Sequence, residues 1–375
     1  MSLGYSQDEQ MLADTAGEFL AGNSPVSAQR ELRDRGEPLG FDAGLWQSMV
    51  ELGWAAIPFA ESEGGLAFGY KGMGALFQAL GRHLTATPLL SSVVLCGSLL
   101  EQLGSQTIKQ QWLAGLMDGE RRLALALEEH HRFNPGKMAC QAQKTAAGYQ
   151  LSGTKQLVFD GIGADALLVA ALLDCEQALF LVPAQSNGVA IQAQPLIDSR
   201  NCATVTLSHV QLPQSARLSA EPDACRCALE QALDLGRVCL AAEMLGASQA
   251  LLQMTTDYLK TRKQFDVQIG TFQALQHRAA WCFVELELAQ SALMGALAAI
   301  DSGASAQDRA ATIALAKWKA GMAADRITTE AVQMHGGIGV TDELDVGLYL
   351  KRIRVAQMAL GDRDWLAARY HELTA

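Results

Sequence analysis

The sequence predicts a mainly α fold with a β domain set in its middle, and three observations carry that expectation. Apolar residues recur at helical spacing up to about residue 117. They switch to short alternating runs punctuated by glycine, then return to helical spacing after about residue 218. A chain of 375 residues is long enough for several packed layers and a large core. The boundaries fall at 1–120, 121–217 and 218–375.

Ser6-Gln7-Asp8-Glu9 has the spacing of a capping box, with Met11, Leu12, Ala16, Phe19 and Leu20 behind it at helical period. Asp42 then precedes Leu45, Trp46, Met49, Val50 and Leu52, and Gly53 can supply a left-handed stop. Gly64-Gly65 breaks the pattern before helical spacing resumes from about Met73 to Met117, interrupted near Pro88. From Leu123 the period becomes two: Leu123, Leu125 and Leu127 alternate. Further strand runs are Tyr149–Leu151, Thr154–Phe159, Ala166–Leu172, Leu179–Val182 and Thr204–Leu212. Beyond Pro213 and Pro222 a long helix is marked by Leu229, Leu233, Leu240, Met244, Leu251 and Leu252 and ends near Arg262. Helices are expected at about Gln273–Ile300, Gln307–His335 and Asp345 to the C-terminus.

The net charge of −11 excludes a cationic nucleic-acid carrier, so any phosphate ligand must be met by a few placed cations. Eight cysteines stand singly or as Cys225-x-Cys227, without metal-site or secreted-framework spacing, which suggests reduced thiols in the cytoplasm. Met1–Gln10 is polar rather than signal-like, and no uninterrupted apolar stretch approaches the roughly 18 residues of a membrane span. His130-His131 does not suggest a metal, because neighbours on a strand point to opposite faces.

Two distant segments carry the functional signal. One is Arg262-Lys263-Gln264-Phe265 running on to Phe272-Gln273; the other is Gln333-Met334-His335-Gly336-Gly337-Ile338-Gly339. A forked cation, amide side chains and bare backbone N–H groups at helix ends are what a dinucleotide pyrophosphate needs. Their arrangement resembles the acyl-CoA dehydrogenase family, whose pattern is Tyr, then Arg-x-x-Phe-Gly, then Gln on the next helix, and later Gln-x-x-Gly-Gly-x-Gly. Tyr258, Arg262, Phe265 with Asp266 in place of the glycine, Gln273 and Gln333 to Gly339 stand at the matching offsets.

The resemblance covers nearly the whole chain. It implies an α-helical N-terminal domain, a middle β barrel and a C-terminal four-helix bundle, with a flavin ring where the three meet. It also implies FAD held across a subunit interface, with Arg262 on the pyrophosphate and Phe265 and Gln273 packing and bonding the cofactor. Gln333, Met334, His335, Gly336 and Gly337 would cradle the adenylate end. A dimer or tetramer, of one chain or two, an acyl-CoA substrate and electron-transfer flavoprotein or a similar acceptor follow from the same resemblance.

Asp234-Leu235-Gly236-Arg237 matches the family's Asp-x-x-Arg step at the substrate, and at this spacing Asp234 and Arg237 share a helix face. Removing a weakly acidic α-proton also needs a carboxylate base. The family carries that glutamate at one of two places, which fall here on Leu360, followed by Gly361, and on Gly236. Neither can take a proton. Asp362, Asp234 and Glu243 are the nearby acids, with Glu243 about 10 Å beyond Gly236 along a helix.

In the β domain the family's Thr-Glu-Pro-x-x-Gly-Ser-Asp loop is replaced by Leu127 to Gly136, and its aromatic-Ile-Thr step by Leu157-Val158-Phe159. Leu157 and Phe159 are the candidate flavin neighbours, together with backbone N–H groups. The first reading is an FAD-dependent acyl-CoA dehydrogenase. A second is a degenerate subunit that completes the FAD site of a homologous partner, since the residues kept are those given across the interface; Leu344 to Arg352 resembles chains of such assemblies. A third is a reduced-flavin oxygenase on the same scaffold, which has no need of the thioester base.

Overall fold

The computed structural model describes residues 4–375; the first three positions of the polar Met1–Gln10 start lie outside the described residues. Helices α1 (Gln7–Asn23), α2 (Val26–Asp34), α3 (Ala43–Glu51) and α4 (Gly69–His83) open the chain. After a wide helical segment at Leu89–Gly97 come the short α5 (Ser98–Leu103), α6 (Gln106–Ile108) and α7 (Ala114–Met117). The predicted start and stop signals work as their chemistry requires. Ser6 and Glu9 form a reciprocal capping box on α1, Asp42 accepts from Leu45 N on α3 at 2.8 Å, and Gly53 takes φ 79.

Contacts divide the chain into two compact units. One gathers the chain up to Glu31 with Tyr70–Thr85 and Arg237–Ala375; the other holds Leu32–Gly69 and Ala86–Gly236. The division falls inside helix α8 (Pro222–Thr261), between Gly236 and Arg237.

The second unit is built on a curled sheet of seven strands: β1 (Leu123–Ala126), β2 (Gln141–Thr145), β3 (Gly148–Phe159), β4 (Ala166–Leu173), β5 (Glu176–Pro183), β6 (Val189–Ala193) and β7 (Cys202–Pro213). The order is β1-β4-β2-β3-β7-β6, with β5 antiparallel to β4. Its core includes Leu151, Val169, Phe180, Val205 and Val210, with Tyr149 edge-on to Phe180. The runs Tyr149–Leu151 and Thr154–Phe159 are one strand, β3, whose register to β7 shifts twice. The alternation expected from Leu123 is absent: β1 pairs parallel with β4 and all four of its residues are buried, as befits a strand covered on both faces. Leu127 lies just past it. Two strands escape the apolar pattern, β2 because it is mostly exposed and polar, β6 because it is short and half-exposed.

The other unit is helical. Past α8 a two-strand hairpin, β8 (Lys263–Gln264) and β9 (Val267–Gln268), leads to α9 (Gln273–Asp301), α10 (Ala306–His335), α11 (Val346–Met358) and α12 (Arg363–Thr374). The single helix expected from Asp345 onward is two. Leu360 at φ 56 and Gly361 at φ 113 stop the first, and Asp362 caps the second by accepting from Trp365 N at 3.0 Å. Helices α4 and α8 approach through glycine: a Cβ at Gly81 would collide with the Glu243 carbonyl, and one at Gly246 with that of Gln78. Asp301 caps the start of α4 through Tyr70 N and Lys71 N, although burial holds its carboxyl above the usual range.

By length and composition α8 and α9 could each cross a bilayer, but the apolar window of α8 is 83% buried within the fold. The corresponding window of α9 is 33% buried, and Trp281, Val284 and Leu288 form an exposed stripe along it.

Candidate functional site

The two distant motifs meet. The Tyr258 ring, on the last turns of α8, lies 4.5 Å from the His335 ring at the end of α10, and its hydroxyl donates to His335 O at 3.4 Å. Arg262 leaves α8 into the β8–β9 hairpin, whose turn holds Phe265 at φ 54 and Asp266 at φ 64. Phe265 is 85% exposed and edge-on to Phe272, which immediately precedes Gln273 at the start of α9.

Arg262, Gln273 and Gln333 are exposed, and among the described residues their side chains form no hydrogen bond or ion pair. A Cβ added at Gly336 or Gly337 would meet open space, so the backbone there is accessible. The unengaged side-chain donors of Arg262, Gln273 and Gln333 suit a dinucleotide pyrophosphate, whereas the Gly336 N–H is already given to Gln333 O. Met334 and His335 are buried instead. His335 Nδ1 lies 2.8 Å from Ala331 O, which can only accept, and the buried Nε2 has no hydrogen-bond partner among the described residues.

A second cluster, of Arg237, Lys317 and Trp365, gathers around the turn between α11 and α12. Asp234, Leu235, Gly236 and Arg237 are all buried along α8. Arg237, fully buried, donates from Nε to Leu360 O at 2.8 Å and lies 4.5 Å from the centre of the Trp365 ring. Lys317 in α10 donates from Nζ to Gly361 O at 2.6 Å and to Gln357 O at 3.2 Å. Burial pushes its ammonium down to about 7; nearby Arg237 acts the same way and Asp362 opposes them.

The acids near this turn are committed elsewhere. Glu243 forms a buried two-pronged pair with Arg352, at 2.7 Å to Nε and 2.6 Å to Nη2, and Asp362 caps α12. Leu360 itself is 7% exposed. Lys317 and Trp365 were not among the residues singled out from the sequence. The available signal was a lysine within the buried alanine-rich stripe Ala310, Ile313, Ala314, Ala320 and Ala324.

In the β-sheet unit Leu157 and Phe159 are half-buried on either side of buried Val158. Leu157 sits at φ 51 in the irregular part of β3, and its N–H is already given to Gln194 Oε1 at 3.0 Å. In the stretch that replaces the family loop, Glu129 accepts from Lys155 Nζ at 2.6 Å and from Ala139 N and Cys140 N. Burial alone would raise its carboxyl, but these hydrogen bonds win and hold it below the usual range. That acid is a structural anchor.

Comparison with known proteins identifies the family. Residues 6–120 match the N-terminal domain of acyl-CoA dehydrogenases and residues 226–371 the C-terminal domain. The chain is 33% identical to acyl-CoA dehydrogenase FadE27 of Mycobacterium tuberculosis over 329 residues, 86% of this chain and 85% of that one. The chain belongs to the acyl-CoA dehydrogenase family. Its structure is similar to a chain in the ChsE4–ChsE5 complex of Mycobacterium tuberculosis, with a TM-score of 0.90 and 30% identity over 99% of this chain and 98% of that one. Butyryl-CoA dehydrogenase of Megasphaera elsdenii shares the fold, with a TM-score of 0.91 at 23% identity over 99% of both chains. At the two positions where the resemblance puts the base, this chain has Leu360 and Gly236.

Proposed function

We propose that this protein is an FAD-dependent flavoprotein of acyl-CoA dehydrogenase type, acting on the α,β bond of an acyl-CoA thioester. The observation that carries the cofactor assignment is the set of exposed, unengaged Arg262, Gln273 and Gln333 side chains beside the open backbone of Gly336 and Gly337. When bound, FAD supplies the acceptor for the hydride that leaves the β carbon. Arg262 holds the pyrophosphate as a forked cation, the two glutamines bond the nucleotide, and Phe265 packs against it. Leu157 and Phe159 line the flavin from the sheet, while Asp234, Leu235, Gly236, Arg237, Leu360 and Gly361 lie on the substrate side.

Leu360 takes no proton, so the chain lacks the side-chain base that would add about 10² to 10⁴ in rate. That residue favours a second reading, in which the chain lends Arg262, Gln273 and Gln333 to the FAD site of a homologous partner; the similarity to a complex of two named chains supports it. The exposed stripe of Trp281, Val284 and Leu288 suits a subunit interface of either kind. Eight free cysteines suit a cytoplasmic protein, and an electron-transfer flavoprotein or similar acceptor would reoxidise the flavin.

The test is purification without added cofactor, a visible spectrum, and anaerobic titration with a panel of acyl-CoAs. Bound FAD that bleaches supports dehydrogenation by this chain; a colourless homo-oligomer that gains flavin only with a homologous partner supports the second reading. A chain that takes up no flavin in either state sinks both.

A further inference from the structure

The turn after α11 is held by more than a helix stop requires. Gln357 O, Leu360 O and Gly361 O are met from inside the protein by two cations, Lys317 at 1% exposure and Arg237 at 0%. Carbonyls at a helix end are ordinarily satisfied by water, by a tightened last turn or by exposed basic side chains. Burying an ammonium and a guanidinium for that purpose carries a desolvation penalty far larger than capping needs. What lies between them is unusual backbone. Leu360 stands at φ 56, a conformation unfavourable for an L-residue that persists only where its surroundings over-determine it. Gly361 follows at φ 113, where a Cβ would press on the Trp365 ring.

We propose that Lys317 is a positioning residue for the substrate site: by holding the Gly361 and Gln357 carbonyls while Arg237 holds that of Leu360, it fixes the direction in which the side chain at position 360 is presented. This rests on reading position 360 as the substrate-facing place. Lys317 touches neither substrate nor cofactor in this assignment. It acts through the backbone, so whatever residue stands at 360 inherits one orientation.

The test is methyl NMR of the full-length protein in its purified assembly, with labelled leucine and the Leu360 signals assigned by Leu360→Met. Wild type should show one pair of Leu360 methyl signals. In Lys317→Met that pair should shift or double, while Leu20 and Leu76, buried on α1 and α4, stay in place. Lys317→Gln keeps an amide donor and should displace the pair less. A lysine with a purely structural role would lower the melting temperature yet leave the Leu360 signals unmoved where the variant is still folded, and that result overturns the proposal. If Lys317→Met fails to fold, Lys317→Gln and Arg237→Lys carry the same comparison. The readout requires neither flavin nor turnover, so failure to bind FAD counts against the dehydrogenase reading and leaves this result standing.

Discussion

Arg237 Nε donates to the carbonyl oxygen of Leu360 at 2.8 Å, joining helix α8 to the turn where the resemblance puts one place for the base. The residue after Gly236 thus holds the backbone at position 360. Arg237→Leu should remove this bond and the contact with Trp365, leaving a buried carbonyl unpaired at a cost of about 1–3 kcal/mol. Urea unfolding of wild type and variant checks it; an unchanged midpoint would show that the bond carries no stability.

Arg262 is exposed and its side chain forms no hydrogen bond or ion pair among the described residues, so its removal should cost the fold less than about 0.5 kcal/mol. Arg262→Ala should nonetheless lower the FAD retained per chain several-fold. Flavin absorbance against protein concentration measures this, with the melting temperature as control. Equal flavin content in variant and wild type would remove Arg262 from the cofactor site.

How much of this was legible beforehand depended on whether the signal was local. Capping at Ser6 and Asp42, the extent of α8 and the helix–sheet–helix order were readable because a side chain and its neighbours a turn away decide them. The break at Leu360 was not, since the groups that hold the Leu360 and Gly361 carbonyls, Arg237 and Lys317, lie 123 and 44 positions away in the chain. For the same reason the bond from Arg237 Nε to the Leu360 carbonyl was not readable beside the substrate-side place that the resemblance gives Arg237. Glu243 was readable as an acid of helix α8, but not as the partner of Arg352.

Lys317 makes stability depend on pH in a stated direction. Its folded value, about 7, lies below its ordinary 10.5, so the unfolded chain binds the proton more tightly across that window. Stability from this group is therefore lowest below about 7 and rises towards 10.5, by at most about 1.4 kcal/mol per pH unit. Lys317→Met should flatten the rise. Urea midpoints for wild type and variant at about pH 7 and about pH 9 supply the comparison; parallel slopes would mean that the lysine stays charged in the fold.

Glu243 is buried against Arg352, and Glu243→Ala leaves that guanidinium uncompensated, at about 3–5 kcal/mol. The paired replacement Glu243→Leu with Arg352→Met should recover most of the loss, because no charge then remains buried. Any turnover per folded molecule should be the same in the paired variant as in wild type. A specific loss of rate at full stability would instead make Glu243 the missing base.

The most direct measurement is the anaerobic rate of flavin bleaching by an acyl-CoA in the purified assembly, for wild type and for Leu360→Glu. The expected result is bound FAD in both and a rate at least about 10²-fold higher in the variant, the low end of what a positioned general base contributes. Bound FAD that bleaches equally fast in wild type would contradict the absence of a base at position 360, and an assembly that holds no flavin at all would contradict the assignment of Arg262, Gln273 and Gln333.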